Sequence, residues 1–156
     1  MKIQICAIGR MRDIPEAKLA NNYLERFNRI GSNFGLGPVK TLETEDKKSG
    51  GPTSEGRLLK NLIPTGSLTC TLDEKGHEMT SIDFANRLAE WRDQGKPSIS
   101  LIIGGASGLS EELKNEANCS ISFGKFVWPH LLIRVMLAEQ LYRAATILSG
   151  SPYHRI

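Results

Sequence analysis

An α/β fold with a mostly parallel sheet is predicted by three features of this 156-residue chain. Strand-like and helix-like stretches alternate along its length, one apolar run is continuous enough to be buried on both faces, and glycines stand where strands end. The length and a 40% apolar content suit one compact domain covering residues 1–156. A formal charge of +3 and an isoelectric point near 8.8 permit an acidic partner such as nucleic acid without requiring one.

Residues 2–8 make the first strand, ended by Gly9, and Leu19, Tyr23, Leu24 and Phe27 then recur at helical spacing across 15–29. Residues 38–43 make the second strand, and the charged stretch 43–51, apolar at neither period, is a loop. Ser54 and Glu55 open a helix that carries Leu58, Leu59 and Leu62 and stops at Pro64. Ser67–Leu72 alternates as a third strand with Asp73–Gly76 as its turn. Thr80 to Asp83 has the spacing of a capping box, with Asp in place of Glu, and Ile82, Ala85, Leu88 and Ala89 give the next helix its buried face. Gly95 and Pro97 end that helix, and Ser98–Ile103 follows as a nearly continuous apolar strand, the pattern of a central position. Ser110, Glu111 and Glu112 open a further helix, 119–123 is the last strand, 124–129 a loop and 130–149 a long helix. The order predicts a doubly wound sheet with helices on both faces and no second domain.

Cys6, Cys70 and Cys119 are odd in number, widely spaced and set in apolar or β-favouring stretches, which predicts buried hydrophobes in a reducing compartment. No zinc spacing links them. The apolar start from Met1 to Gly9 is too short for a signal peptide and no stretch approaches a membrane span, so a soluble cytoplasmic protein is expected.

Ligands of open α/β sheets bind beyond the strand ends, and the loops 72–76, 104–110 and 124–129 are predicted to form one pocket. Gly104-Gly105 lets backbone approach a ligand without an intervening side chain, although paired glycines are also ordinary turn chemistry. The loop lacks the Lys-Ser/Thr of a P-loop and the three-glycine dinucleotide fingerprint, which favours a cofactor without a polyphosphate. There is no Gly-x-Ser-x-Gly elbow, no His-Glu-x-x-His and no suggestive carboxylate pair, so hydrolase and metal chemistry are not expected.

The long helix is apolar around most of its circumference, with Leu131, Val135 and Ala138 on one stripe and Leu132, Met136 and Leu141 on others. One sheet cannot cover all of it, which predicts a homodimer. Arg134, Glu139 and Arg143 are its polar exceptions, either a solvated stripe or an intrahelical or intersubunit ion pair, or contacts to RNA phosphate. The chain ends in Tyr153-His154-Arg155 after a Gly-Ser-Pro stop. Arginine suits phosphate, while tyrosine and histidine stack on unpaired bases.

Four ordered landmarks resemble the SPOUT-class methyltransferases over nearly the whole chain. They are Leu72-Asp73-x-x-Gly76; Ile102-Ile103-Gly104-Gly105-x-x-Gly108-Leu109-Ser110; Pro129-His130 with Arg134, Glu139-Gln140 and Tyr142-Arg143-Ala144; and Pro152-Tyr153-His154-Arg155. Within that class the landmarks closely resemble the small bacterial branch that methylates N3 of pseudouridine 1915 in 23S ribosomal RNA. The resemblance implies a single-domain SPOUT fold with a C-terminal trefoil knot, an obligate homodimer and action within the 70S ribosome, with no membrane and no metal involved. It implies an S-adenosylmethionine site formed by Leu72, Gly104, Gly105 and the segment Phe123, Gly124, Lys125, Phe126, Val127 and Trp128. It implies catalytic or RNA-facing roles for His130, Arg143, Tyr153, His154 and Arg155, the tail completing the partner subunit's pocket, with His130 and His154 both open as the proton acceptor. Val127 stands where many relatives carry Thr, and Ile156 where many end in an acid. The competing readings are a SPOUT methyltransferase acting on another RNA, such as transfer RNA, and a non-catalytic ribosome-binding homologue.

Overall fold

The computed structural model describes residues 1–155; Ile156 lies outside the described residues. In chain order the elements are β1 (Lys2–Ile8), α1 (Pro15–Gly31), a 3-10 turn (Ser32–Phe34), β2 (Val39–Thr44), α2 (Gly51–Leu62) and β3 (Leu68–Glu78). Then come α3 (Ser81–Asp93), β4 (Ser98–Ile103), α4 (Glu111–Glu116), β5 (Cys119–Ser122) and α5 (His130–Leu148). The five strands form one sheet of order β2-β1-β4-β3-β5, with every pairing parallel. All six residues of β4 are buried, which follows from its place in the middle of the sheet with helices on either side.

The period-2 alternation of β1 divides the core into two layers. Ile3, Ile5 and Ala7 join Leu24, Phe27, Leu88, Leu137 and Leu141 on the face covered by α1, α3 and α5. Cys6 and Ile8 point the other way, to Leu59, Leu109 and Leu113 beneath α2 and α4. Cys6 and Cys70 are buried as expected, and burial pushes the Cys6 thiol up to about 11. Cys119 is only partly buried because β5 is the edge strand, and it sits directly opposite Cys70.

Several boundaries differ from the sequence expectation. α2 begins at Gly51, three residues before Ser54, with Pro52 in its first turn, where a missing N–H costs no helical bond. The charged stretch before it is organised by the Asp46 carboxylate, which accepts from the backbone N–H of Lys48 at 3.0 Å and Gly50 at 2.7 Å. The capping box of α3 is present: Thr80 Oγ1 accepts from Asp83 N at 3.1 Å and Asp83 Oδ2 accepts from Thr80 N at 3.2 Å. The buried face of α3 is Phe84, Ala85, Leu88 and Trp91, whereas Ile82 is exposed, since the helix presents the stripe one residue round from the one expected. Leu19 of α1 is likewise exposed.

The largest difference concerns β3. The expected turn at 73–76 interrupts the strand without ending it: Leu72 and His77 both pair with Ile121, so the four residues between them are looped out. Gly76 closes this excursion against backbone, because a Cβ there would lie 2.6–2.9 Å from Ile121 C, N and O. Gly76→Ala is therefore expected to lower stability by about 1–3 kcal/mol, the usual cost of overpacking. Urea unfolding checks this, and an unchanged midpoint would show that the β3–β5 seam can open without loss.

Candidate active site

The C-terminal ends of β3, β4 and β5 lie side by side, and the loops that leave them enclose a cavity of about 710 Å³. Leu72 ends the first part of β3, Gly104 and Gly105 follow β4, and Phe123 and Gly124 follow β5, and all five line the cavity. Phe126, Val127 and Trp128 form its outer rim. Phe126 and Val127 are 77% and 84% exposed, and the Phe126 and Trp128 rings meet edge to face at 6.0 Å. Lys125 is exposed and is not among the lining residues. The three strand ends that sequence spacing grouped are thus brought into one wall.

The glycines are there for space. A Cβ on Gly104 would stand 2.7 Å from Gly108 C and O, and one on Gly105 would stand 2.8 Å from Glu55 Oε1. Gly108 has φ +78°, which L side chains rarely adopt. The result is a tight loop that offers backbone groups to the cavity. The charged groups lining its wall include Asp73 and Lys114, paired at 3.0 Å. Burial raises the Asp73 carboxyl, but hydrogen bonds from the Lys75 backbone and the Lys114 ammonium outweigh it and hold the acid below its usual range.

His130, the first residue of α5, lines the same cavity. Burial and then the Arg134 guanidinium hold it below the usual histidine value, against an opposing pull from Glu55. A neutral imidazole at physiological pH, facing a cavity, can accept a proton.

Arg134 does not face RNA. Its side chain is 2% exposed; Nη1 donates to Glu43 Oε1 at 2.9 Å and Nη2 to Gly9 O at 2.7 Å and to Ile8 O. It is a buried clamp that ties α5 to the ends of β1 and β2, which overturns both the phosphate-contact and the solvated-stripe reading; its ion pair is with Glu43 of β2, not within the helix or between subunits as expected.

The remaining predicted residues form a second cluster. Arg143 pairs with Glu139 at 2.5 Å, places Nη1 3.4 Å from His154 Nδ1 and lies 4.8 Å over the Tyr153 ring. The Tyr153 hydroxyl donates to Glu139 Oε1 at 3.1 Å, and its ring meets Tyr142 at 4.7 Å. Arg26 of α1, which sequence reasoning did not single out, lies 4.0 Å over Tyr142 and donates to its hydroxyl at 2.8 Å. The bond with Glu139, ahead of the opposing burial, holds the Arg143 guanidinium above its usual value, and burial raises the Tyr153 phenol. The tail is thus docked on α1 and α5, with Arg155 exposed beyond it. Arg143 stands thirteen residues along α5 from His130, about 20 Å at helical rise. One chain therefore carries a cavity and an aromatic-cationic cluster at opposite ends of one helix.

Among the described residues no group of three or more metal-ligating side chains occurs, and no helix is long and apolar enough to cross a membrane.

A family model described as "Predicted SPOUT methyltransferase" matches residues 1–154. A protein of Ruegeria pomeroyi named "Ribosomal RNA large subunit methyltransferase H" is 55% identical over 156 residues, covering 100% of both chains. Proteins of the same name from Ruegeria sp. and Cereibacter sphaeroides are 54% and 53% identical over the same span, again with 100% of each chain covered. The solved structure of a probable methylase family protein from Haemophilus influenzae is similar in fold, with a TM-score of 0.51 at 12% identity over 99% of this chain and 70% of that one.

Proposed function

Because the chain belongs to the SPOUT methyltransferase family, we propose that it methylates N3 of pseudouridine 1915 in 23S ribosomal RNA, within the 70S ribosome, as a cytoplasmic homodimer. The methyl donor of this family is S-adenosylmethionine. The observation that carries the reading is the 710 Å³ cavity at three strand ends, walled by glycine backbone and apolar side chains around His130. The residues present fit the cofactor: Gly104 and Gly105 line the cavity without side chains, and the loop is held tight because a Cβ on either would collide with the Gly108 backbone or the Glu55 carboxylate; the lining suits adenine and thioether surface where a phosphate-bearing ligand would ask for fixed cations. In this reading Leu72, Gly104, Gly105 and residues 123–128 hold the cofactor. The trefoil knot belongs to the same reading and rests on family membership, as does the assignment of residues 1–156 to one SPOUT domain.

The bound cofactor supplies an activated methyl on a sulfonium. The chain's own work is to align the base, exclude water and take the N3 proton. Arg143 and Arg155 stabilise the anion that forms at the base, and Tyr153 and His154 contact the flipped nucleotide. Because the tail cluster and the cavity stand about 20 Å apart on one α5, the tail reaches a reacting base most directly at the partner's cavity.

Labelled S-adenosylmethionine, offered with 70S ribosomes, 50S subunits and bulk transfer RNA, tests the activity. Methyl mapped by mass spectrometry to one 23S pseudouridine in 70S particles is expected, and methylation of transfer RNA instead would overturn the substrate. Arg155→Ala is expected to form an intact dimer with turnover down tenfold to a thousandfold, roughly the effect of a lost transition-state cation. Mixed and re-equilibrated with a dimer disabled in its cavity, it should recover about a quarter of wild-type turnover, since half the dimers are mixed and each has one complete site. No recovery would mean that tail and cavity act within one subunit.

A further inference from the structure

Cys70 and Cys119, both free thiols, face each other across the β3–β5 seam. They are register partners in parallel strands, which sets their Cα atoms about 4.8 Å apart, inside the roughly 4.4–6.8 Å that a disulfide spans. Both point to one face of the sheet: Cys70 is a buried member of the core beneath α3 and α5, and Cys119 packs against that cluster. Cys119 Sγ donates to the Thr69 carbonyl at 3.9 Å, so the sulfur leans over the seam toward the residue next to Cys70. The two differ in access. Cys70 is fully buried, whereas Cys119 is partly open on a four-residue edge strand. A hydrogen bond with Cys70, against the opposing burial and with help from the Arg87 guanidinium, holds the Cys119 thiol below its ordinary value. The same bond, with burial, holds the Cys70 thiol above it. A partly exposed thiol held low is the one a peroxide reaches first. Cys6 lies fully buried in the opposite layer of the core, beneath α2 and α4, and serves as an internal control.

We propose that Cys70 and Cys119 are a peroxide-responsive thiol pair: Cys119 is oxidised, Cys70 closes a disulfide onto it, and the closed seam weakens cofactor binding in the cavity. The last step rests on the methyl-transfer reading; the disulfide does not. First the Cys119 thiolate attacks one oxygen of hydrogen peroxide. The O–O bond breaks, Cys119 becomes a sulfenic acid, and the departing hydroxide takes up the proton that Cys119 gave up and leaves as water. The Cys70 sulfur then attacks the Cys119 sulfur, the S–O bond breaks, and the hydroxide leaves as water with the Cys70 proton. Two thiols are oxidised by two electrons and one peroxide is reduced by two. In a reducing compartment such a bond is transient, and a dithiol reductant reopens it. Its effect on the cavity follows from its place. Leu72 and Ile121, each two residues beyond a cysteine and paired with each other, both line the 710 Å³ cavity. Bringing two non-bonded sulfurs to a bond of about 2 Å draws β5 toward β3 just before the point where four residues loop out of β3. That displaces the cavity wall.

The test treats the reduced protein with graded hydrogen peroxide, alkylates the remaining thiols in denaturant and maps unreduced peptides by mass spectrometry. A peptide pair joined through Cys70 and Cys119 is expected, with Cys6 alkylated, and dithiothreitol should release it. Cys70→Ala should instead leave a Cys119 sulfenic acid that dimedone traps. Cys119→Ser should give no joined pair, and at its edge position it decides the matter if the core variant melts early. Joining through Cys6, joining between two chains, joining only after urea is added, or peroxide that leaves both thiols free would each overturn the pair. Titration calorimetry then compares cofactor affinity, with oxidised wild type expected to bind S-adenosylmethionine about threefold or more weakly than reduced. Dithiothreitol should restore the affinity and Cys119→Ser should be unmoved by peroxide, which sets aside oxidative damage elsewhere. An oxidised protein that binds as tightly as the reduced one would overturn the control of the cavity. A reduced protein that binds no cofactor would defeat the functional reading, and the peptide map would still decide the disulfide.

Discussion

Arg134→Ala is expected to destabilise the protein by about 3–5 kcal/mol, the cost of breaking a buried pair from one side. The guanidinium is 2% exposed and holds Glu43, itself only 21% exposed. It also satisfies the carbonyls of Ile8 and Gly9 at the end of β1. Alanine would leave the Glu43 acid with the backbone N–H of Met11 at 3.0 Å, strand-end carbonyls without donors and a cavity the length of an arginine stem. Against a typical stability of about 5–15 kcal/mol, that is a large share of the total, and at the low end of the range it populates unfolded chains. Arg134→Lys keeps the charge but not the fork of donors, and should fall between. Urea unfolding with circular dichroism measures both, and an alanine variant within about 1 kcal/mol of wild type would show that the clamp contributes little net stability.

Gly104→Ala is expected to weaken S-adenosylmethionine binding by tenfold or more while leaving the fold largely intact. The added methyl would meet the backbone of Gly108 at 2.7 Å and Leu109 N at 3.1 Å, and backbone cannot swing aside as a side-chain end can. The loop must open, and a displacement costing about 1.4 kcal/mol is already tenfold in affinity. Gly105→Ala is the informative contrast, because its added methyl meets the Glu55 carboxylate at 2.8–2.9 Å, the far end of a flexible chain, and a smaller loss is expected. Titration calorimetry compares the two. Wild-type affinity in Gly104→Ala would remove this loop from the cofactor site.

Much of the fold was legible in the residue pattern because it follows from local chemistry. The all-buried β4 was visible in Ser98–Ile103, and the α3 capping box in the spacing of Thr80 and Asp83. The continuation of β3 past Gly76 was not, because four looped-out residues look like a terminating turn unless the pairing of Leu72 and His77 with the same Ile121 is known. Of the candidate site, the three strand-end loops were legible from the general habit of α/β sheets. Glu55 was not, since it meets Gly105 across fifty residues of chain and no period or motif marks it. Arg26 was missed for the same reason, as its place over Tyr142 depends on α1 lying against α5.

The sequence by itself determined the alternation of elements, the central strand, the glycine cradle and, through its four landmarks, the family. These are properties of short segments, where periodicity, caps and close-approach glycines act within a few residues. Only the tertiary structure decided what the charged residues of α5 do. Arg134, His130 and Arg143 share one helix, yet one is a buried clamp, one faces the cavity and one holds the docked tail. A charged side chain takes its role from the dielectric and the partners around it, and here those are supplied by β1, β2, α1 and the tail, all remote in sequence.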